Sequence, residues 1–348
     1  MAFRRRAISA AGSCFDVNIG DCDWGMPFRG YFSPWGIPGM PEGVTGAYLT
    51  DHLTGRAIEQ MRTRQDKPFF LNFWDYAVHV PIQAPPALIR TYEEKARATG
   101  LAVQEALVTG ERFGCAHKRN EHIVRRIIQS DPAYAAMIEN MDMNIGHVVQ
   151  AIEDAGEADN TMVIFTSDNG GLATAEGSPT CNLPLSAGKG WVYEGGTRVP
   201  LIVSWPGVVA EGRTCGVPVT SMDVYSTLLE AAGLDLIPAQ HRDGESIVRL
   251  LRQDGRAVHG LLFWHYPHYS NQGGRAACSM RDGGYKLIEF FEDGRLALHD
   301  LERDEGEQHN LAEELWERAA DMHLQLVSWR GEVEAKMPEV NPHWREEA

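Results

Sequence analysis

The chain has 348 residues, and at 43% hydrophobic and 23% charged its composition is that of a globular protein, which excludes a disordered or fibrous chain. Its length allows roughly two domains. With 32 Lys and Arg against 48 Asp and Glu, the net charge of −16 argues against nucleic-acid and anionic-membrane partners, because neutralising phosphates needs a basic face.

Met1–Ala11 (MAFRRRAISAA) opens with three arginines, but the apolar stretch behind them is too short for a signal peptide, so residues 1–14 read as a non-specific leader. Residues 15–46 are rich in Gly, Pro and aromatics and predict a long, functional loop. Thr50 is placed to N-cap a helix with Leu53, Ala57, Ile58 and Met61 on one face, stopped at Lys67-Pro68. Phe69–Phe73 reads as a buried strand leading into the loop Asp75–Pro81. Residues 85–130 read as mostly polar and helical.

Asp131-Pro132 is a helix start, and Met137, Ile138, Met141, Ile145, Val148, Val149 and Ile152 follow at helical spacing up to Gly156. Thr161–Thr166 predicts a buried strand ending in Ser167-Asp168-Asn169-Gly170-Gly171. Val199–Trp205 repeats the strand signal and Met222–Ala232 predicts another helix. This rhythm is that of an α/β domain with a parallel sheet, over about 15–255. From 256 to 348 short strands take over, at Leu261–Trp264, Ala276–Met280, Tyr285–Phe291 and Leu296–Asp300. With a last helix at about 312–336 they predict a smaller antiparallel α+β domain. No run approaches the length of a transmembrane helix, and six Cys without a CxxC pair indicate neither a disulfide framework nor a zinc site.

Ligands of α/β sheets bind at the carboxyl ends of strands. Asp168 and Asn169 stand there with hard oxygen donors suited to Ca²⁺ or Mg²⁺; the same four residues also fit an ordinary Asn-Gly turn. His79 follows the Phe69–Phe73 run, as a catalyst or as a packed core residue. Lys189, between Gly188 and Gly190, lets backbone and ammonium approach an anion, although the P-loop spacing is absent. Arg198, just before a strand, reads as structural.

The segments YAVHVPIQ, FTSDNGG, GKGWVYEGGTRVPLIVSWPG, YAAMIENMDMNIGHVVQAIEDAG and DGGYKLIEFFEDGRLALHDLERDEGEQHNLAE occur in an order that resembles the formylglycine-dependent sulfatases of the alkaline-phosphatase-like superfamily, from about Phe15 to Pro338. The resemblance implies an alkaline-phosphatase-like α/β/α sandwich with a smaller C-terminal antiparallel domain, and hydrolysis of sulfate esters, either sulfated carbohydrates or aryl sulfates. It implies that Asp168 and Asn169 bind Ca²⁺, that Lys189 binds a sulfate oxygen, and that His79 protonates the leaving alcohol. His265 and His268 (WHYPHY) become candidates for substrate contact, or for an aromatic seam between domains. His299, beside Asp300, reads as surface structure. Asp75, where similar sequences carry His or Tyr, either pairs with His79 or faces solvent.

The sequence also departs from the family. No Cys or Ser opens the C/S-x-P-x-R motif from which the formylglycine nucleophile is made. The family's first strand with its acidic pair, and its Gly-Lys-Trp-His segment, are also missing. These departures lead us to expect a sulfatase lacking its N-terminal third or so, with unpaired strand edges and poor solubility. A non-catalytic remnant is the alternative. A phosphoesterase of the superfamily is disfavoured by the sulfatase-like GKGWVYEGG segment. Similar sulfatases are commonly exported, but the leader gives no convincing signal.

Overall fold

The structure, a computed structural model, describes residues 15–20, 22–63, 67–255 and 258–339. The leader assigned to 1–14 lies outside the described residues. The chain forms two compact units: residues up to 106 with 129–159, and 107–128 with 160 onward.

The first unit holds three helices, α1 (Leu49–Thr63), α2 (Pro86–Ala98) and α3 (Pro132–Asp154), with α3 against both others. The helix start read at Asp131-Pro132 is present: the Asp131 carboxylate accepts from the amides of Ala133 and Tyr134, both at 3.0 Å. The buried side of α3 differs from its apolar stripe. Ile138 and Val149 are exposed, whereas Asn140 and Asn144 are buried and donate to Asp51 of α1 at 2.9 and 2.8 Å. The aromatic-rich segment before α1 is more than a loop, because Tyr31, Trp35, Ile37 and Tyr48 form the core of this unit with Leu49, Ala136 and Met137.

Two expectations fail in this unit. Thr50 is not an N-cap; it lies inside the first turn of α1, fully buried, and its hydroxyl donates to Asp75. Phe69–Phe73 forms no strand, and Phe70 is 62% exposed. An apolar run signals readiness to be buried in a sheet, but a strand also needs a neighbour to complete its ladder.

The second unit starts with a hairpin of β1 (Leu107–Arg112) and β2 (His122–Arg126), paired antiparallel, where the sequence predicted helix. Phe113, Cys115 and Ile123 of the hairpin pack on Trp191 and Ala175, a tertiary reward that local propensity cannot report. β3 (Val163–Thr166) and β4 (Leu201–Ser204) appear within the two predicted strands, but they pair antiparallel, Val163 opposite Ser204. This corrects the parallel expectation. The connection between them is a long loop interrupted only by the one-turn helix α4 (Glu194–Thr197), with no crossover helix to bring the chain back to the same end. Helices α5 (Asp223–Ala231) and α6 (Val248–Leu251) follow.

The predicted C-terminal sheet is present as β5 (Leu261–Tyr266), β6 (Ala277–Asp282), β7 (Tyr285–Phe290) and β8 (Leu296–Asp300), an antiparallel meander in chain order. Period-two alternation gives it two buried faces. Cys278, Met280, Leu287 and Leu298 pack on Ala319, Met322 and Leu326 of α7 (Trp316–Glu332). Ala277, Ile288, Phe290 and Ala297 face the other way, onto Val192. The segment that carries Lys189 therefore covers one side of the C-terminal sheet. His299 lies on that side, 3% exposed and beside Tyr193, so it is core rather than surface.

Candidate functional site

In the second unit, the turn after β3 and the loop before α4 interlock through their backbones. The Gly170 amide donates to the Gly196 carbonyl at 3.1 Å, and the Lys189 amide donates to the Gly171 carbonyl at 3.1 Å. Asn182 ties both strands of the joint, its Nδ2 donating to Gly171 O at 2.8 Å and Ala187 O at 2.9 Å. Only glycine fits here: a Cβ at Gly170 would stand 1.7 Å from Gly195 O, and one at Gly188 would stand 2.3 Å from Gly171 O. The structure thus brings Lys189 together with the turn that bears Asp168 and Asn169.

Asp168 is exposed, while Asn169 and Lys189 are partly buried. A carboxylate and an amide oxygen are suitable donors for a hard cation, and an ammonium is suited to an anion beside it. Among the described residues no group of three or more His, Cys, Asp and Glu side chains could hold a metal ion. Ca²⁺ takes six to eight oxygens, so the Asp168–Asn169 pair offers part of a coordination shell.

His79 belongs to the first unit, in a loop clamped from the aromatic core. The Tyr31 phenol lies 2.7 Å from the Tyr76 carbonyl and 2.9 Å from that of His79, its single proton shared between them. The Tyr48 hydroxyl donates to Gln83 O at 2.7 Å, and the Tyr31 amide donates to Gln83 Oε1 at 2.9 Å. Burial raises the pKa of both phenols, which keeps them protonated as donors. The imidazole is half-buried, with Nδ1 3.1 Å from Val80 O, a contact that favours the proton on Nδ1. Asp75, instead of facing solvent, accepts from Thr50 Oγ1 at 3.2 Å and from the Ala77 amide at 3.0 Å. Burial pushes its carboxyl above the usual range.

The two C-terminal histidines separate. His265 on β5 is held by structure: Nε2 lies 2.9 Å from Lys336 O and the ring packs on Phe291. His268 is exposed and stacks edge-on with Tyr266. It starts the 268–274 loop, which lies against Gly190, where a Cβ would come within 2.1 Å of Ser270 Oγ. Thr174, Trp191 and Gln272 secure that loop: Trp191 Nε1 donates to Thr174 Oγ1 and to Gln272 O at 3.1 and 3.0 Å. Sequence reasoning missed these three residues, and also Glu194 and Lys286. The available signal was a lysine in the apolar strand YKLIEF.

The sulfatase family model matches residues 13–234, and that of the N-sulphoglucosamine sulphohydrolase C-terminal region matches residues 187–331. The chain belongs to the sulfatase family. A sulfatase of Formosa agariphila is 34% identical over 319 residues, 86% of this chain and 52% of that protein. Human arylsulfatase A is 28% identical over 317 residues, 84% of this chain and 54% of that protein. The structure of BT4656 in complex with its substrate D-glucosamine-2-N,6-O-disulfate superposes with a TM-score of 0.64 at 19% identity, covering 86% of this chain and 72% of that one, and shows a shared fold. The architecture is α/β with a small C-terminal antiparallel sheet domain, a fold shared with the solved structure of the protein yidJ from Bacteroides fragilis, at a TM-score of 0.65 and 20% identity over 86% of this chain and 62% of that one. The chain spans about half the length of the curated relatives it matches. No helix among the described residues is long and apolar enough to cross a membrane.

Proposed function

We propose that the protein serves hydrolysis of sulfate esters, with sulfated carbohydrate or aryl sulfate as substrate. The observation that carries this reading is the glycine-tight joint that presents Lys189 beside the Asp168–Asn169 turn. A sulfate ester carries one negative charge, and negative charge moves onto the bridging oxygen as the S–O bond breaks. In this reading attack on sulfur needs a formylglycine that this sequence does not supply; around that step the Lys189 ammonium binds a sulfuryl oxygen, and His79 donates a proton to the alcohol oxygen as the S–O bond breaks. Asp168 and Asn169 would contribute oxygen ligands to a Ca²⁺ ion, which when bound would neutralise charge on the sulfuryl group. His268, in the loop against Gly190, is the C-terminal histidine we place at the substrate.

One observation favours a second reading, a non-catalytic remnant: no Cys or Ser of the sequence opens C/S-x-P-x-R, so the sequence supplies no formylglycine for attack on sulfur. Expression of the chain and assay of a chromogenic aryl sulfate and a sulfated disaccharide with Ca²⁺ separates the two. Turnover abolished by His79→Ala and by Lys189→Ala establishes the enzyme. Absence of turnover together with absence of Lys189-dependent sulfate binding leaves the remnant.

A further inference from the structure

Behind the candidate site lies a buried cluster of charges. Lys286 of β7 is 0% exposed, Glu194 of α4 3%, and Glu307 6%. Lys286 Nζ lies 2.8 Å from Glu194 Oε1 and 3.2 Å from Glu307 Oε1, with Arg281 3.6 Å from Glu194 Oε2. The Glu194 backbone amide also donates to Glu307 Oε2 at 2.7 Å. Two carboxylates balance two cations, so the cluster is neutral when all four groups are ionised. Taking such charges from water is costly, and a hydrophobic set would hold two elements together as well; what the paired charges add is a fixed geometry between the groups they join.

The arrangement fixed here is that of α4. It is only four residues long and cannot hold its own position. Its two central residues nevertheless support the site: Gly196 accepts the Gly170 amide, and the Gly195 carbonyl sits against Gly170. The Gly195 amide donates to Ser186 O at 2.9 Å, closing the loop that bears Lys189. Through Glu194, Lys286 of the C-terminal sheet thus anchors the single turn on which both halves of the site rest.

We propose that Glu194 is a positioning residue for anion binding, and that the Glu194–Lys286–Glu307 cluster makes the C-terminal sheet part of the sulfate site. This inference rests on the reading of Lys189 as the sulfate ligand. The full chain is compared with Glu194→Gln, Glu307→Gln, Lys189→Met and Leu326→Ala, the last destabilising α7 away from the turn. Hydrogen exchange is followed in peptides covering 168–171 and 186–197, and sodium sulfate is titrated by calorimetry. Glu194→Gln should speed exchange in both segments at least tenfold and weaken sulfate at least fivefold, while Leu326→Ala changes neither below its melting temperature. Glu307→Gln, which keeps an acceptor for the Glu194 amide, serves as the milder variant and should shift both readouts in the same direction. Wild-type exchange in both segments of the two acidic variants, or the same shift in Leu326→Ala, overturns the positioning role. Sulfate affinity that is absent in the wild type or survives in Lys189→Met overturns the sulfate reading instead, and the exchange result then decides the positioning alone.

Discussion

The phenol oxygen of Tyr31 lies 2.9 Å from the backbone carbonyl of His79. The aromatic segment before α1 thereby holds the His79 loop through main-chain atoms, independently of the side chain the loop carries. Tyr31→Phe leaves the ring in the core and removes only the hydroxyl, stranding the carbonyls of Tyr76 and His79. We expect a loss of about 1–2 kcal/mol in denaturant unfolding and faster amide exchange at 76–81. Unchanged stability and exchange would show that the clamp holds nothing.

The joint between the two glycine turns makes a steric prediction. In Gly170→Ala the new methyl would meet Gly195 O at 1.7 Å, so backbone must move. A cost of about 3 kcal/mol is expected. Gly216→Ala, with nothing within 4 Å and no left-handed backbone, should stay within about 0.5 kcal/mol of the parent. Equal melting temperatures for the two variants would contradict the joint.

His299 makes stability depend on pH. Burial lowers its pKa below the ordinary imidazole value. Its contribution is therefore present above the unfolded value and is lost as pH falls through the lower folded one. The melting temperature should drop on acidification below about pH 6.5, and this component should be missing in His299→Gln. A variant whose pH profile overlays the parent's would remove His299 as the cause.

Thiol chemistry should follow burial. Cys278 on β6 is fully buried and its thiol is pushed up to about 12, chiefly by desolvation, whereas Cys215 is exposed. Iodoacetamide at pH 8 should alkylate Cys215 in the folded protein and reach Cys278 only in denaturant. Early modification of Cys278, read by peptide mass spectrometry, would contradict the buried sheet face.

The legible part of the site was the part whose chemistry is written in short runs. The SDNGG and GKGWVYEGG segments name their own glycines, and the structure shows why: their backbones touch. Thr174 and Gln272 were illegible because they meet only across the fold, the Thr174 hydroxyl donating to Gln272 O, and Asn182 because only the folded loop brings the Gly171 and Ala187 carbonyls to its side chain. His299 was misread as surface because its strand ends in charged residues, although its face of β8 is covered by Tyr193.

By itself the sequence determined the family, the motifs and the four-strand C-terminal meander, since period-two alternation and Gly-containing turns are local signals. Tertiary structure alone decided the rest. It turned a predicted helix into the 107–126 hairpin, paired β3 with β4 antiparallel, and left Phe69–Phe73 without a ladder. It also put a lysine and two glutamates at the base of the Lys189 loop. Each outcome depends on a partner distant in sequence, and hydrophobic patterning reports readiness for burial without identifying that partner.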